Sequence, residues 1–192
     1  MNFQSDNYYI DKVLNKDVKA YASLVDKHKN MVFTIALKIV RNREDAEEIA
    51  QDVFVKAYQS LATFKKESKF STWLYRIVYN AAISKTRKRN IETTNLKYDI
   101  VENYSEDDIN ENLNRLDSNE QKTIINTVLK KLNPEDHILV TLYYFEEKSV
   151  DEISEIVNIS PSNVKVKLFR IRKKLYGEIQ ILIKSQHKEI YL

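Results

Sequence analysis

The chain of 192 residues has no cysteine, one glycine and two prolines. Without cysteine it can form neither a disulfide nor a thiolate metal site, a composition that fits a reducing cytoplasm. With so little glycine and proline it cannot build the many tight turns of an all-β fold. A glycine-rich phosphate loop is equally out of reach. Long apolar runs are also missing: the stretch from Met31 to Val40 is broken by Lys38 and is too short to cross a bilayer. The start, MNFQSDNYY, lacks the basic and then apolar pattern of a secretory leader. A cytoplasmic protein without direct membrane insertion is therefore expected. His28, His137 and His187 are scattered without ligand spacing, and no Ser/His/Asp order can be argued. No catalysis, metal or cofactor is expected.

What is present points to helices. Hydrophobic residues make up 43% and charged residues 31%, enough for a packed core under a strongly charged surface. The net charge of +3 hides an uneven distribution. Residues 85–89 hold four positive charges and no negative one. Residues 90–120 hold nine acids against two bases, Lys97 and Arg115. Residues 161–176 hold six bases and no acid. Two basic patches flanking an acidic stretch suit a polyanion partner.

Hydrophobic spacing divides the chain into two small helical domains and a linker, an all-α architecture. The first domain spans 8–90, with apolar repeats at Val32, Ile35, Ala36 and Ile39, at Ile49, Val53 and Ala57, and at Trp73, Leu74, Ile77, Val78 and Ala81. Residues 91–119, acidic and rich in asparagine, read as a flexible linker. The second domain spans 120–177, with 178–192 left as a C-terminal tail. Asn133-Pro134 opens a helix there, asparagine as N-cap and proline at the first helical position.

Residues 149–176 carry the most specific local pattern. Ser149-Val150-Asp151-Glu152 matches a capping box, and Ile153, Ile156 and Val157 give the short helix behind it a buried face. After the turn Asn158-Ile159-Ser160, Ser160-Pro161 starts a second helix. Val164, Leu168, Ile171 and Leu175 form its buried stripe, and lysines and arginines lie off that stripe. This is a helix-turn-helix whose second helix suits the DNA major groove. The bland alternative is a helical hairpin with a solvated basic face.

The segment from Phe64 to Arg89 mixes aromatics with cations, the combination that holds single-stranded DNA. Arg76, Asn80, Ser84 and Arg87 share one helical face. Against this, Trp73 and most of the aromatics also read as core residues, and Asn80 as an amide satisfied between helices. Glu44, Asp45, Glu47, Glu48 and Asp52 crowd the start of another helix. By spacing alone this is a solvated face that favours the helix dipole, with a protein-docking face as the sharper alternative.

DAEEIAQDVFVKAY (Asp45–Tyr58) followed by FSTWLYRIVYNAA (Phe70–Ala82) resembles region 2 of the sigma-70 family, and Leu132–Leu175 resembles region 4. Two such regions joined by a short linker resemble the extracytoplasmic-function (ECF) sigma factors. The resemblance implies a non-enzymatic factor that binds core RNA polymerase and directs transcription initiation from promoter DNA. It implies that Glu48, Gln51, Asp52 and Lys56 meet the polymerase β′ clamp helices, and that region 4 meets the β flap. It implies −10 element contacts by Lys65, Lys66, Ser68, Phe70, Arg76, Asn80, Ser84 and Arg87. It implies −35 element contacts by Lys165, Val166, Lys167, Phe169, Arg170 and Arg172. Many relatives are held inactive by an anti-sigma factor, so such a partner is expected as well.

The sequence departs from the family pattern in places. Lys66 stands where a glycine is usual, and Glu146-Glu147-Lys148 occurs where a glycine precedes the Ser149 motif. Asn163 replaces a common threonine, and Val166 replaces a common serine with a side chain suited to a thymine methyl rather than a phosphate. Two other readings of the residues stay open: a stand-alone helix-turn-helix regulator, and a helical adaptor with no nucleic-acid role.

Overall fold

Side-chain caps set most of the helix starts. A computed structural model describes residues 4–90 and 118–189. Ser5 accepts from the Tyr8 amide and opens α1 (Asp6–Leu14). A 3₁₀ turn, Val18–Ala20, leads into α2 (Tyr21–Val40), which ends where Arg41 turns left-handed at φ 56°. Asn42 caps α3 (Arg43–Ser60) through the Asp45 amide, and Glu44 and Asp45 complement the helix dipole in its first turn. A second 3₁₀ turn, Leu61–Thr63, and the loop from Phe64 precede α4 (Phe70–Asn90). Residues 91–117, which hold most of the expected linker, lie outside the described residues.

The second half begins with α5 (Ser118–Lys131), two residues before the expected domain start. Asn133 caps α6 (Pro134–Val140), and a π-helical turn, Thr141–Phe145, follows. Ser149 and Glu152 form the complete capping box of α7 (Val150–Val157), and Asn158 ends that helix in the left-handed region. Then α8 (Pro161–Glu189) runs for 29 residues without a break. Residues 178–192 were expected as a tail. Instead the helix continues through buried Gly177, because Ile179 and Ile183 pack on Ile124 and Val128 of α5 in a small core of their own. Among the described residues there is no strand, and no helix is long and apolar enough to cross a membrane.

The two halves share one apolar core. Helices α2, α3 and α4 bury Leu24, Ile35, Ile39, Val53, Leu74 and Val78 in a cluster that continues into Leu139, Leu142, Ile153, Ile156 and Leu168 of the second half. Polar contacts cross the same boundary. Arg41 donates to the carbonyls of Lys130 and Leu132, at 2.7 and 2.6 Å. The His137 Nδ1 donates to the Lys38 carbonyl at 3.1 Å. Arg87 pairs with Glu135 at 2.8 Å, the Tyr75 hydroxyl donates to Glu146 at 2.6 Å, and Thr72 donates to Glu152 at 3.3 Å.

Candidate nucleic-acid interface

The helix-turn-helix is built as its caps dictate. Glu152 donates its amide to Ser149 Oγ at 3.1 Å, and the Ser149 amide donates to the Glu152 carboxylate at 3.0 Å. Burial pushes the Glu152 pKa up, but the Ser149 bonds, the Lys148 charge and the Thr72 hydroxyl together bring it below the usual carboxylate value. Ser154 donates to the Ile159 carbonyl at 2.6 Å, which fixes the turn between the helices. Ser160 then accepts from the Asn163 amide at 3.3 Å and starts α8.

On α8 the buried stripe is Val164, Leu168 and Ile171. With 3.6 residues per turn, the face opposite that stripe is centred on Val166, Phe169 and Lys173. Lys165 and Arg170 flank this centre and are exposed, as are Val166 and Phe169. The Lys173 ammonium lies 5.0 Å from the Phe169 ring centroid. Lys167 and Arg172 sit at the margins and are half-buried. Burial raises the pKa of Asp136 and the Lys167 charge offsets part of that rise, so the Lys167 charge is directed partly inward. The Arg172 Nε is buried and has no hydrogen-bond partner among the described residues. The six residues assigned to the −35 element therefore divide into four that face solvent and two held at the domain edge. Lys173 belongs to the exposed face and was missed; counting helical angles from the buried stripe identifies it.

On α4, Arg76, Asn80, Ser84 and Arg87 are all exposed on one face. Asn80 is therefore not an amide buried between helices. Arg87 is engaged with Glu135, and that bond raises its pKa. Lys85, beside this face, is held by Glu48 at 2.9 Å and Asp45 at 3.3 Å on α3, and its pKa is raised chiefly by the Glu48 bond. In the preceding loop Lys65 and Lys66 are exposed and Ser68 is half-buried. Lys66 takes φ 61° and pairs with Asp11. This left-handed backbone explains why a glycine is usual there. Glu147, at φ 49°, is the matching case before Ser149.

Phe70, expected at the −10 element, is turned away from solvent. It is only 3% exposed, stacked among Phe64, Trp73 and His28 with ring centroids 5.5–5.6 Å away. It anchors the loop from inside. The core reading of Trp73 holds too, since its ring packs 5.4 Å from Phe64. Beside the loop, Glu67, Ser68 and Lys69 share a crevice with Asp6 of α1 and with Asp151, Glu152 and Glu155 of α7. That crevice carries far more negative than positive charge, so a phosphodiester strand is disfavoured there while the halves are docked.

On α3, Ala46, Ile49, Val53 and Ala57 are buried, and Glu48, Gln51, Asp52 and Lys56 are exposed. Val55 lies at the centre of the same face, 56% exposed, a position that the charge pattern of the sequence does not mark. The exposed face of this helix is thus acidic with one apolar side chain at its centre.

Residues 24–91 match the family described as Sigma-70 region 2, and residues 122–175 match Sigma-70, region 4. The chain is 29% identical over 185 residues to the ECF RNA polymerase sigma factor SigW of Bacillus subtilis (strain 168), covering 90% of this chain and 96% of the relative. Its fold resembles CnrH in complex with the cytosolic domain of CnrY, with a TM-score of 0.60, 18% identity, and 93% and 99% of the two chains covered. It also resembles the sigma factor RpoE in complex with the anti-sigma factor NepR from Bartonella quintana. There the TM-score is 0.57 with 18% identity, covering 85% of this chain and 98% of the other.

Proposed function

This chain belongs to the sigma-70 family as an ECF-type RNA polymerase sigma factor that directs transcription initiation, and on that premise we propose how its surfaces divide the work. Region 2 covers α1–α4 and region 4 covers α5–α8. The α3 face of Glu48, Gln51, Asp52, Val55 and Lys56 docks on the β′ clamp helices, and region 4 docks on the β flap. The α4 face of Arg76, Asn80, Ser84 and Arg87, with Lys65, Lys66 and Ser68, holds the unpaired −10 strand. The exposed face of α8 lies in the major groove of the −35 element. Phe70 supports the −10 loop from within. An anti-sigma factor, as in the complex of the related fold, is a further partner.

The observation that carries this reading is the pair of exposed cationic faces, on α4 and α8, joined in one chain with the acidic face of α3. Cations track phosphates, exposed amides read base edges, and the acidic helix is unsuited to DNA. The chemistry of RNA synthesis stays with the core enzyme.

Distance then requires the halves to part. Promoter elements about 25 base pairs apart are separated by about 85 Å at ~3.4 Å per pair. A compact chain of this length is only about 40 Å across. The segment 91–117 reaches up to about 90 Å when fully extended, enough to join separated halves. Docking of region 4 on region 2 therefore excludes simultaneous contact with both elements.

The test is core binding followed by runoff transcription with the purified full chain. Promoter-specific transcript from the reconstituted enzyme is expected. Duplex binding that needs no polymerase, with a two-fold site and no transcript, would instead favour a stand-alone regulator.

A further inference from the structure

We propose that α8 reads thymine methyl groups: Val166 and Phe169 form an apolar strip at the centre of the groove-facing side and select adjacent T·A pairs in the −35 element. This rests on the reading of α8 as the −35 helix.

Three observations carry it. The first is position. Val166 and Phe169 lie opposite the buried stripe of Val164, Leu168 and Ile171, so they are the residues that enter the groove most deeply. The second is exposure. Val166 is 45% and Phe169 50% exposed, and neither packs into the apolar core that takes Val164, Leu168 and Ile171 of the same stretch of helix. The third is the frame. Lys165 and Arg170 stand exposed on either side, and Lys173 sits over the Phe169 ring at 5.0 Å. Cations at the rim and alkyl and aryl groups at the centre separate phosphate anchoring from base reading.

Neither side chain can donate or accept a hydrogen bond. In the major groove, guanine presents acceptors, adenine an acceptor and a donor, and cytosine a donor beside a bare C5–H, whereas thymine alone carries a 5-methyl group. A donor or acceptor pressed against Val166 or Phe169 would lose water without gaining a partner. A methyl group there is buried favourably. Residues three apart on a helix rise about 4.5 Å along the axis, close to the ~3.4 Å rise of a base pair. The two side chains therefore lie over neighbouring steps.

The experiment uses the full chain bound to core polymerase. A duplex library randomised across the −35 region is selected, and thymines in the enriched sequence are replaced one at a time by deoxyuridine, which removes only the methyl. Enrichment of adjacent T·A pairs is expected, with a loss of about fourfold in affinity for each methyl removed, the equivalent of about 0.8 kcal/mol per buried methyl. Val166→Ser should abolish the thymine–uracil difference at one position, and Phe169→Ala at its neighbour. Both side chains are exposed, so the variants should keep the parent's melting temperature. Enrichment without a thymine preference, or equal binding of thymine and uracil duplexes, overturns the methyl reading and leaves α8 as the −35 helix. Failure to enrich any duplex overturns the −35 reading itself, and this inference with it. Loss of core binding in Val166→Ser, with the thymine–uracil ratio unchanged, would make the strip a protein contact and overturn the proposal.

Discussion

Arg41 and Leu132, 91 positions apart in the chain, are joined by a 2.6 Å hydrogen bond from guanidinium to carbonyl. The same guanidinium also reaches the Lys130 carbonyl. Both acceptors lie at the C-terminal end of α5, where helix carbonyls lack intrahelical donors and the dipole favours a cation. The left-handed turn at Arg41 aims the side chain away from its own helix and across the boundary. Arg41→Ala should weaken docking of the two halves by about 1–2 kcal/mol, since charge-assisted bonds are strong but this site is partly exposed. With no native thiol to interfere, cysteines placed at exposed Gln59 and Lys122 can carry a dye pair. A wider distance distribution in Arg41→Ala is expected, and an unchanged one would show that the shared apolar core alone holds the halves together.

His137 makes the same boundary sensitive to acid. Burial lowers its pKa from the ordinary 6.5, helped by the charges of Arg41 and Lys38 and opposed by its bond to the Lys38 carbonyl. The unfolded chain then binds a proton more readily than the folded one, so stability falls as pH drops from about 6.5 through the lower folded value. His137→Asn keeps a donor near the Nδ1 position and does not titrate. Melting temperature followed from pH 7.5 to 5 should decline more steeply in the parent than in the variant. Asp136, whose pKa is raised by burial, acts with the opposite sign in a window that starts near 3.8.

Lys66 and Glu147 hold left-handed backbone that costs a side-chain-bearing residue about 1–2 kcal/mol. Lys66→Gly and Glu147→Gly should each stabilise the fold by about 0.5–1 kcal/mol after the added freedom of the unfolded chain is subtracted. Alanine at either position should not. Equal effects of glycine and alanine in chemical denaturation would rule out the backbone explanation.

Thr141 is fully buried in the π-helical turn, and among the described residues its hydroxyl finds no hydrogen-bond partner. Thr141→Val replaces an unsatisfied polar atom with a methyl of similar shape. The variant should be as stable as the parent or more so, by about 1 kcal/mol. A clear destabilisation would mean that the hydroxyl has a partner in solution.

Val55 separates docking from folding. As proposed, it sits at the centre of the polymerase-facing side of α3 with no role in the core. Val55→Asp should leave the melting temperature within about 1 °C while weakening core binding by about tenfold, the scale of one buried interface side chain. Unimpaired core binding would remove α3 from its assigned role.

Much of this was legible in the sequence because helix caps and stripes are local. Ser149 with Glu152, and Ser160 with Pro161, mark both helices of the reading unit, and its stripe points inward as the spacing requires. The two departures from a usual glycine were legible as oddities, and the backbone at Lys66 and Glu147 gives their meaning. Docking of the two halves was not legible. Arg41 bonds to main-chain carbonyls, which leave no trace in residue identity, and Glu135 and Glu146 look like ordinary surface acids until Arg87 and Tyr75 meet them. Phe70 misled because aromatics between cations suit both base stacking and loop anchoring, and only burial tells the two apart. The tail expected at 178–192 is helix through Glu189 instead because its apolar residues Ile179 and Ile183 find partners on α5, which are distant in the sequence.

The unbroken run of α8 makes the exposed basic face and the contact with α5 two ends of one stiff rod. Its 29 residues span about 44 Å, with Val166 near one end and Ile183 towards the other. Gly177, internal to the rod, is the one position without a side chain to brace it. A tilt of a few degrees applied at the α5 contact therefore sweeps the far end by about 2–3 Å, comparable to one base-pair rise. The contact is a tiller for the exposed basic end, and the packing of Ile179 and Ile183 on Ile124 and Val128 sets its rest angle.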